Sequence, residues 1–294
     1  MLTPAQAYAK SRGIVNAMKD YAASSPISLH EVRGRLTVLE GSGGNMLASF
    51  GEDGMFLVDA GIAVSETKIK ESLASLGSSK VAAVVNTHWH FDHADGNDWL
   101  GREGAKIIAH EKTLSHLSAA QRVEDWNFDF PPSAIQALPS IVVGDTHELD
   151  INGDPVRLKF YGNAHTDGDL SVFFQNSNVL HTGDTFWNGI YPFIDRSTGG
   201  TIDGMISAAQ WNVDICDADT LVVSGHANPI GNREELKAYL EMLVAIRESI
   251  SANKSKGMSL EEVQAQRPTS SFDAVWGQFV ITPDFFTKLV YESL

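Results

Sequence analysis

Cysteine is almost absent: Cys216 is the only one among 294 residues. No intrachain disulfide can form, and the redox compartment is left open. Long apolar runs are missing as well. Nowhere do roughly 18 uncharged apolar residues stand together, which excludes a membrane-spanning helix. Positive charge is scarce, with 22 basic against 37 acidic side chains and a formal charge of −15. That balance argues against nucleic acid or an anionic membrane as partner and serves solubility. A basic stretch leading into an apolar one is also lacking, because Met1 to Tyr21 mixes Lys10, Arg12, Lys19 and Asp20 among alanines. Cytoplasm is the expected compartment, although a periplasmic chain whose leader has been removed reads the same. What the chain does have is 43% hydrophobic residues, enough for a large core in one layered α/β domain over 1–294.

The N-terminal stretch, about 3–24, reads as an amphipathic helix. Short β-like runs at Arg35–Glu40, Asn45–Phe50 and Met55–Asp59, parted by glycine-rich turns, form a meander. A helix over about Val64–Leu76, a strand over Val81–Asn86, a strand over Lys106–Ala109 and a helix from about Glu111 then set a β-α-β rhythm. Asp125–Pro139, rich in Trp, Phe and Pro, has no clean period and is expected to be an ordered loop near a site. Further β-runs lie at Thr146–Ile151, Val156–Tyr161, Leu170–Phe174, Val179–His181 and Thr220–Ser224. A helical extension over about 231–294 closes the chain, its first helix marked by Leu236, Tyr239, Leu240, Leu243 and Ile246 on one face. No linker separates it from the rest.

The most specific feature is Thr87-His88-Trp89-His90-Phe91-Asp92-His93, directly after the apolar run Val81–Val85. An H-x-H-x-D-H string arises by chance in roughly one chain of this composition in a thousand, which sets aside surface histidines in a turn. Imidazole and carboxylate suit borderline cations such as Zn²⁺, and a strand end holds them firmly. Alternate side chains of an extended segment point the same way, so His88 and His90 converge while Asp92 and His93 can turn toward a second ion.

Three later residues complete the set: His165 in Gly162-Asn163-Ala164-His165-Thr166-Asp167-Gly168-Asp169, Asp184 in His181-Thr182-Gly183-Asp184-Thr185, and His226 in Ser224-Gly225-His226-Ala227. In order and context, and together with Val58-Asp59-Ala60-Gly61, these segments resemble the metallo-β-lactamase superfamily over about Arg35–Asn228. The resemblance implies a four-layer αββα sandwich of two mixed sheets flanked by helices. It implies that His88, His90 and His165 bind one metal, that Asp92, His93 and His226 bind a second, and that Asp184 bridges them. Two zinc ions are expected, and iron or manganese suits the same donors. The chemistry implied is hydrolysis by a hydroxide shared between the ions, with Asp92 and Asp184 as catalytic carboxylates and a small, partly apolar ester, lactone or amide as substrate.

Departures from known branches narrow the reading. A cysteine or serine ligand is missing at the positions used by two lactamase subclasses, which disfavours β-lactam hydrolysis as the native role. The lactonase tyrosine three places after the bridging aspartate is replaced by Trp187, and no basic cluster suits glutathione. The stretch Thr185–Asp195 is the most individual part of the chain and resembles a branch that includes hydrolytic dehalogenases of chlorinated aromatics. An iron-dependent dioxygenase of the same fold is the rival from another reaction class. Asp59 reads either as a buttress of the ligand loops or as a plain turn residue. Asn188 reads as a metal or substrate contact or as a turn Asn-Gly. Trp126, Trp187, Tyr191 and Trp211, with Phe128 and Phe193, line an apolar pocket or pack in the core. Trp276, Phe279, Phe285 and Phe286 suit a homodimer contact or a pocket wall.

Overall fold

Side-chain alternation along the strands sorts the hydrophobic residues into layers. The computed structural model describes residues 3–294. In Gly54–Val58, Phe56 and Val58 point to one face while Met55 and Leu57 point to the other. In the neighbouring Met46–Gly51, Leu47 joins the first set, and Met46 and Ala48 join the second. The first set packs against Val156, Leu158, Val172 and Val179 of a second sheet. The second meets Ile69 and Leu73 of helix Glu66–Leu76 and Trp99 and Leu100 of helix Asn97–Arg102. Beyond the second sheet, Leu180 and Val222 pack on Met205, Ala209, Leu236 and Leu243 of helices Ile202–Ile215 and Arg233–Lys254. The layers therefore run helix, sheet, sheet, helix, as expected from the sequence.

The first sheet has seven strands in the order Ser28–Arg33, Leu36–Glu40, Met46–Gly51, Gly54–Val58, Val81–Val85, Lys106–His110 and Ile141–Val143. Its first four strands pair antiparallel and its last four pair parallel. The second sheet runs Thr146–Ile151, Asp154–Phe160, Leu170–Phe174, Val179–His181, Leu221–Val223 and Ile230–Asn232, and Val179–His181 and Leu221–Val223 are its parallel pair. Parallel strands bring their carboxyl ends to one edge, where loops gather. Val85 leads into His88, His181 into Asp184, and Val223 into His226, so both sheets deliver ligand-type residues to the same edge.

Several elements depart from the sequence expectation. The N-terminal helix is two helices, Pro4–Arg12 and Ile14–Ser24, parted at Gly13. Helix Ile202–Ile215 has no counterpart in the sequence reading. Gly204 and the β-branched Ile202, Ile206, Val213 and Ile215 dilute its propensity, and burial of Met205, Ala208, Ala209 and Val213 holds it together. The loop expected over Asp125–Pro139 begins inside a small hairpin, Gln121–Val123 paired with Phe128–Phe130. Of the C-terminal aromatics, Trp276 and Phe286 are buried in the helical core, and Phe279 is exposed.

Cys216 caps helix Ile202–Ile215 and is buried in that core, which pushes its thiol up to about 12. At pH 8 it is therefore expected to resist a disulfide-exchange reagent in native buffer and to react fully in denaturant. Labelling in native buffer at the rate of a free thiol would show that this helical layer is not packed as described.

Candidate metal centre

Four of the five histidines of the site, His88, His90, His93 and His165, are held on their outer side by a group that fixes a proton. The Asp195 carboxylate lies 3.0 Å from His90 Nε2 and can only accept, so the ring's other nitrogen, Nδ1, carries a bare lone pair. His165 Nδ1 donates to the Phe193 carbonyl at 2.8 Å, which leaves its Nε2 bare. Thr87 Oγ1 gives its own proton to Asp59 at 2.9 Å and so accepts from His88 Nδ1 at 3.0 Å. Asp59 also accepts from His93 Nδ1 at 2.7 Å and from the Thr87 backbone N–H at 2.7 Å. The remaining nitrogens of His88, His90 and His165 are thus bare and face inward, and His93 turns its Nε2 toward Asp184.

They converge on one another. His90 Nδ1 lies 2.9 Å from His165 Nε2 and 3.1 Å from His88 Nε2. Lone pairs at that distance repel unless a cation sits among them, and this is the arrangement that metal-ligating imidazoles adopt. Asp184 closes the group, with Oδ2 3.4 Å from His165 Nε2 and 3.9 Å from His88 Nε2. A second group adjoins it: Asp92 Oδ2 is 3.2 Å from His226 Nε2 and 3.6 Å from His93 Nε2. Asp184 faces this group as well, through Oδ1 at 3.1 Å from His93 Nε2 and Oδ2 at 3.3 Å from His226 Nε2. Its Oδ1 is buried and accepts no hydrogen bond, as suits a carboxylate oxygen meant for a cation. All seven predicted residues are buried, and they form the two clusters His88, His90, His165, Asp184 and Asp92, His93, His226.

Electrostatics separates the two groups. Burial drives His88 well below the usual imidazole range, with the charge of His93 adding to it, and burial lowers His90 as well. Burial also works downward on His226, but Asp184 and Asp92 outweigh it and hold that ring at about 9. Against its own burial, Asp184 is held well below the carboxylate range by His226, His93 and His165. The site thus demands positive charge opposite its carboxylates, and a metal ion binding there displaces protons.

The backbone makes the space. A Cβ on Gly225 would stand 2.1 Å from Asp184 Oδ1, and one on Gly44 would stand 2.2 Å from His93 Cε1. Asp59 sits at φ 62, a left-handed conformation uncommon outside glycine that costs of order 1 kcal/mol and that aims its carboxylate beneath Thr87 and His93.

The chain matches the profile of the metallo-beta-lactamase superfamily over residues 41–237. It belongs to that superfamily. A hydroxyacylglutathione hydrolase of Polaromonas sp. strain JS666 is 27% identical over 149 residues, 50% of this chain and 49% of the relative. A probable metallo-hydrolase of Methanocaldococcus jannaschii is 27% identical over 140 residues, 45% of this chain and 62% of the relative. The chain thus spans only about half to three-fifths of these relatives' own length. Among solved structures, a metallo-beta-lactamase from Pontibacter korlensis superposes with a TM-score of 0.60 at 18% identity, covering 74% of this chain and 98% of that one. A sec-alkylsulfatase from Pseudomonas sp. reaches 0.68 at 15% identity, covering 94% of this chain and 52% of that one. At these identities the structures share the fold.

Beyond the metal clusters, the superfamily scaffold places the remaining candidates unevenly. Trp126 lies 4.8 Å from the His90 ring and stacks on Phe193, and Trp187 lies 4.3 Å from the His226 ring. Three of the candidates turn away from the cluster. Asn188 turns its amide toward Glu235 Oε1 at 3.5 Å, because in the short ladder with His226–Ala227 it faces away from Trp187. Tyr191 is fully buried, stacked on Phe286, with its hydroxyl on Asp273 at 3.0 Å and Thr269 at 3.2 Å, so it is core and not pocket wall. Trp211 sits half-buried on the outer helical layer with its ring 5.6 Å from Tyr161, because Ala208, Ala209 and Asn212 take the inward face of its helix. His181 bonds the Asn45 carbonyl at 2.9 Å, which ties the end of a second-sheet strand to the turn before Met46–Gly51.

Asp195 is the functional residue that sequence reasoning missed. Besides its bond to His90, its backbone N–H donates to the His165 carbonyl at 2.9 Å, so one residue steadies both rings. Nothing in its neighbourhood in the sequence announces that. Burial would raise its carboxyl, but His90 outweighs this and holds it at about 2. The stability this contributes is full above the ordinary aspartate value of about 3.9 and is lost as pH falls toward about 2. Asp195→Ala is expected to lower metal affinity by about 10–100-fold in a chelator competition, with Asp195→Asn intermediate. Affinity unchanged in both variants would remove Asp195 from the site.

Proposed function

We propose that this chain is a zinc-dependent hydrolase with a two-metal centre, acting on a small, partly apolar ester, lactone or amide. The observation that carries this reading is the convergence of bare imidazole nitrogens around Asp184, whose Oδ1 has no donor. His88, His90 and His165 would hold one ion, Asp92, His93 and His226 the other, and Asp184 both. Bound there, such a pair of cations supplies an activated water at neutral pH and polarises the substrate's carbonyl oxygen.

The chain's own residues supply the rest. His226 is the most open of the seven at 8% exposure, with Asp92 and Asp184 at 3% and His88, His93 and His165 at none, so substrate approaches from the His226 side. The Asp92 carboxylate there is placed to take up the proton that the attacking water loses and to return it to the leaving oxygen of an ester or lactone, or the leaving nitrogen of an amide. Trp187 beside His226 and Trp126 with Phe193 beside His90 exclude water and favour an apolar acyl or ring portion. The net charge of −15 favours neutral or cationic substrates over anions.

A panel of chromogenic esters, lactones and amides tests this, with a glutathione thioester and an alkyl sulfate added for the activities in the relatives' names. Turnover of an ester, lactone or amide is expected, and it should fall by at least about a hundredfold in His93→Ala. Full turnover in that variant would sink the proposal. Metal analysis of protein purified without added metal should find two equivalents of zinc, and chelation should lower Tm by several degrees. Iron alone at one equivalent would point to redox chemistry instead.

A further inference from the structure

A buried carboxylate away from the metal centre has two cations and no role in the chemistry above. Asp125 exposes 2% of its side chain, lies 3.0 Å from Arg196 Nη2 and contacts Lys288 Nζ directly. Both cations also reach Glu292, Arg196 at 2.6 Å and Lys288 at 3.5 Å. A carboxylate this deep is tolerated only while its partners stay, so the cluster joins three otherwise separate segments. Lys288 and Glu292 belong to the C-terminal helix Pro283–Ser293. Arg196 follows Asp195, which holds His90. Asp125 lies in the turn Glu124–Trp126, and the next residue is the indole over His90 and Phe193.

That turn joins the strands of the hairpin Gln121–Val123 and Phe128–Phe130. Arg122 bonds Glu124, Asn127 and Asp129 within it, so the hairpin is braced to move as one piece. Beside it lies a cavity of about 410 Å³, lined among others by Lys19, Leu117, Phe128 and Phe130.

We propose that Asp125 is a latch, and Lys288 a positioning residue, through which the C-terminal helix fixes Trp126 as the roof over the His90 side of the metal centre and so sets how substrate is held. The inference rests on the hydrolase reading for its kinetic part. Its structural part is read without substrate.

The experiment compares the full-length, metal-loaded parent with Lys288→Met and Lys288→Arg, by hydrogen exchange of peptides over 121–130 and by KM and kcat on the best ester of the panel. Lys288→Met is expected to raise exchange over 121–130 by about tenfold and to raise KM by a similar factor with kcat within about twofold, and Lys288→Arg should restore both. Exchange that stays at the parent level over 121–130 overturns the latch. Raised exchange with an unchanged KM overturns the role of Trp126 in holding substrate. A fall in kcat with loss of bound metal overturns the assignment of Lys288 to the roof. Should the parent turn over nothing in the panel, the hydrolase reading fails by itself, and the exchange result still decides the latch.

Discussion

Five imidazoles and two carboxylates brought together out of water constitute the constraint on which this structure turns. The bare nitrogens of His88, His90 and His165 face each other at hydrogen-bond distance with no proton assigned between them. Such a cluster is stable only around added positive charge. Everything near it serves that packing: glycines where a Cβ would strike Asp184 or His93, and a left-handed Asp59 that holds both ends of the Thr87–His93 segment. The hydrophobic layers on either side carry the stability that lets the strand ends be strained.

Two clamps organise the cluster, and they come from different halves of the chain. Asp59, at the end of a strand in the first sheet, serves Thr87 and His93 and, through Thr87, His88. Residues 193–195, beyond the second sheet, serve His165 and His90. His90 is therefore carried by the first sheet's loop and oriented by the second half. Backbone bonds repeat the crossing: Leu170 N–H donates to Thr87 O at 2.8 Å and Asn45 N–H to Gly225 O at 2.8 Å. The metal centre is thus also a polar seam between the two halves, which couples ligand geometry to sheet packing.

Much of this was legible in the chain. His88, His90, Asp92 and His93 are a local string after an apolar strand, and strand alternation sorted the layers correctly. His165, Asp184 and His226 became legible through their order on strand ends, a pattern shared with the superfamily that the profile match shows over residues 41–237. The failures lie where local signals are silent or ambiguous. Helix Ile202–Ile215 has weak propensity and exists because its inward face is buried. Asn188 and Tyr191 sit near Trp187 in sequence, yet only Trp187 faces the cluster: the pairing with His226–Ala227 turns Asn188 the other way, and the chain leaves that strand before Tyr191, which stacks on Phe286.

By itself, then, the sequence determined the donor set, its order, the period of the strands and the lack of any intrachain disulfide. Those depend on residue type and on neighbours a few positions away. Only the tertiary structure decided which nitrogen of each imidazole is bare, which carboxylate oxygen meets which cluster, and which aromatics stand over the site. A side chain's tautomer and direction are set by the partner on its far side, and for His90, His93 and Trp126 those partners, Asp195, Asp59 and Phe193, are brought up by folding from distant parts of the chain.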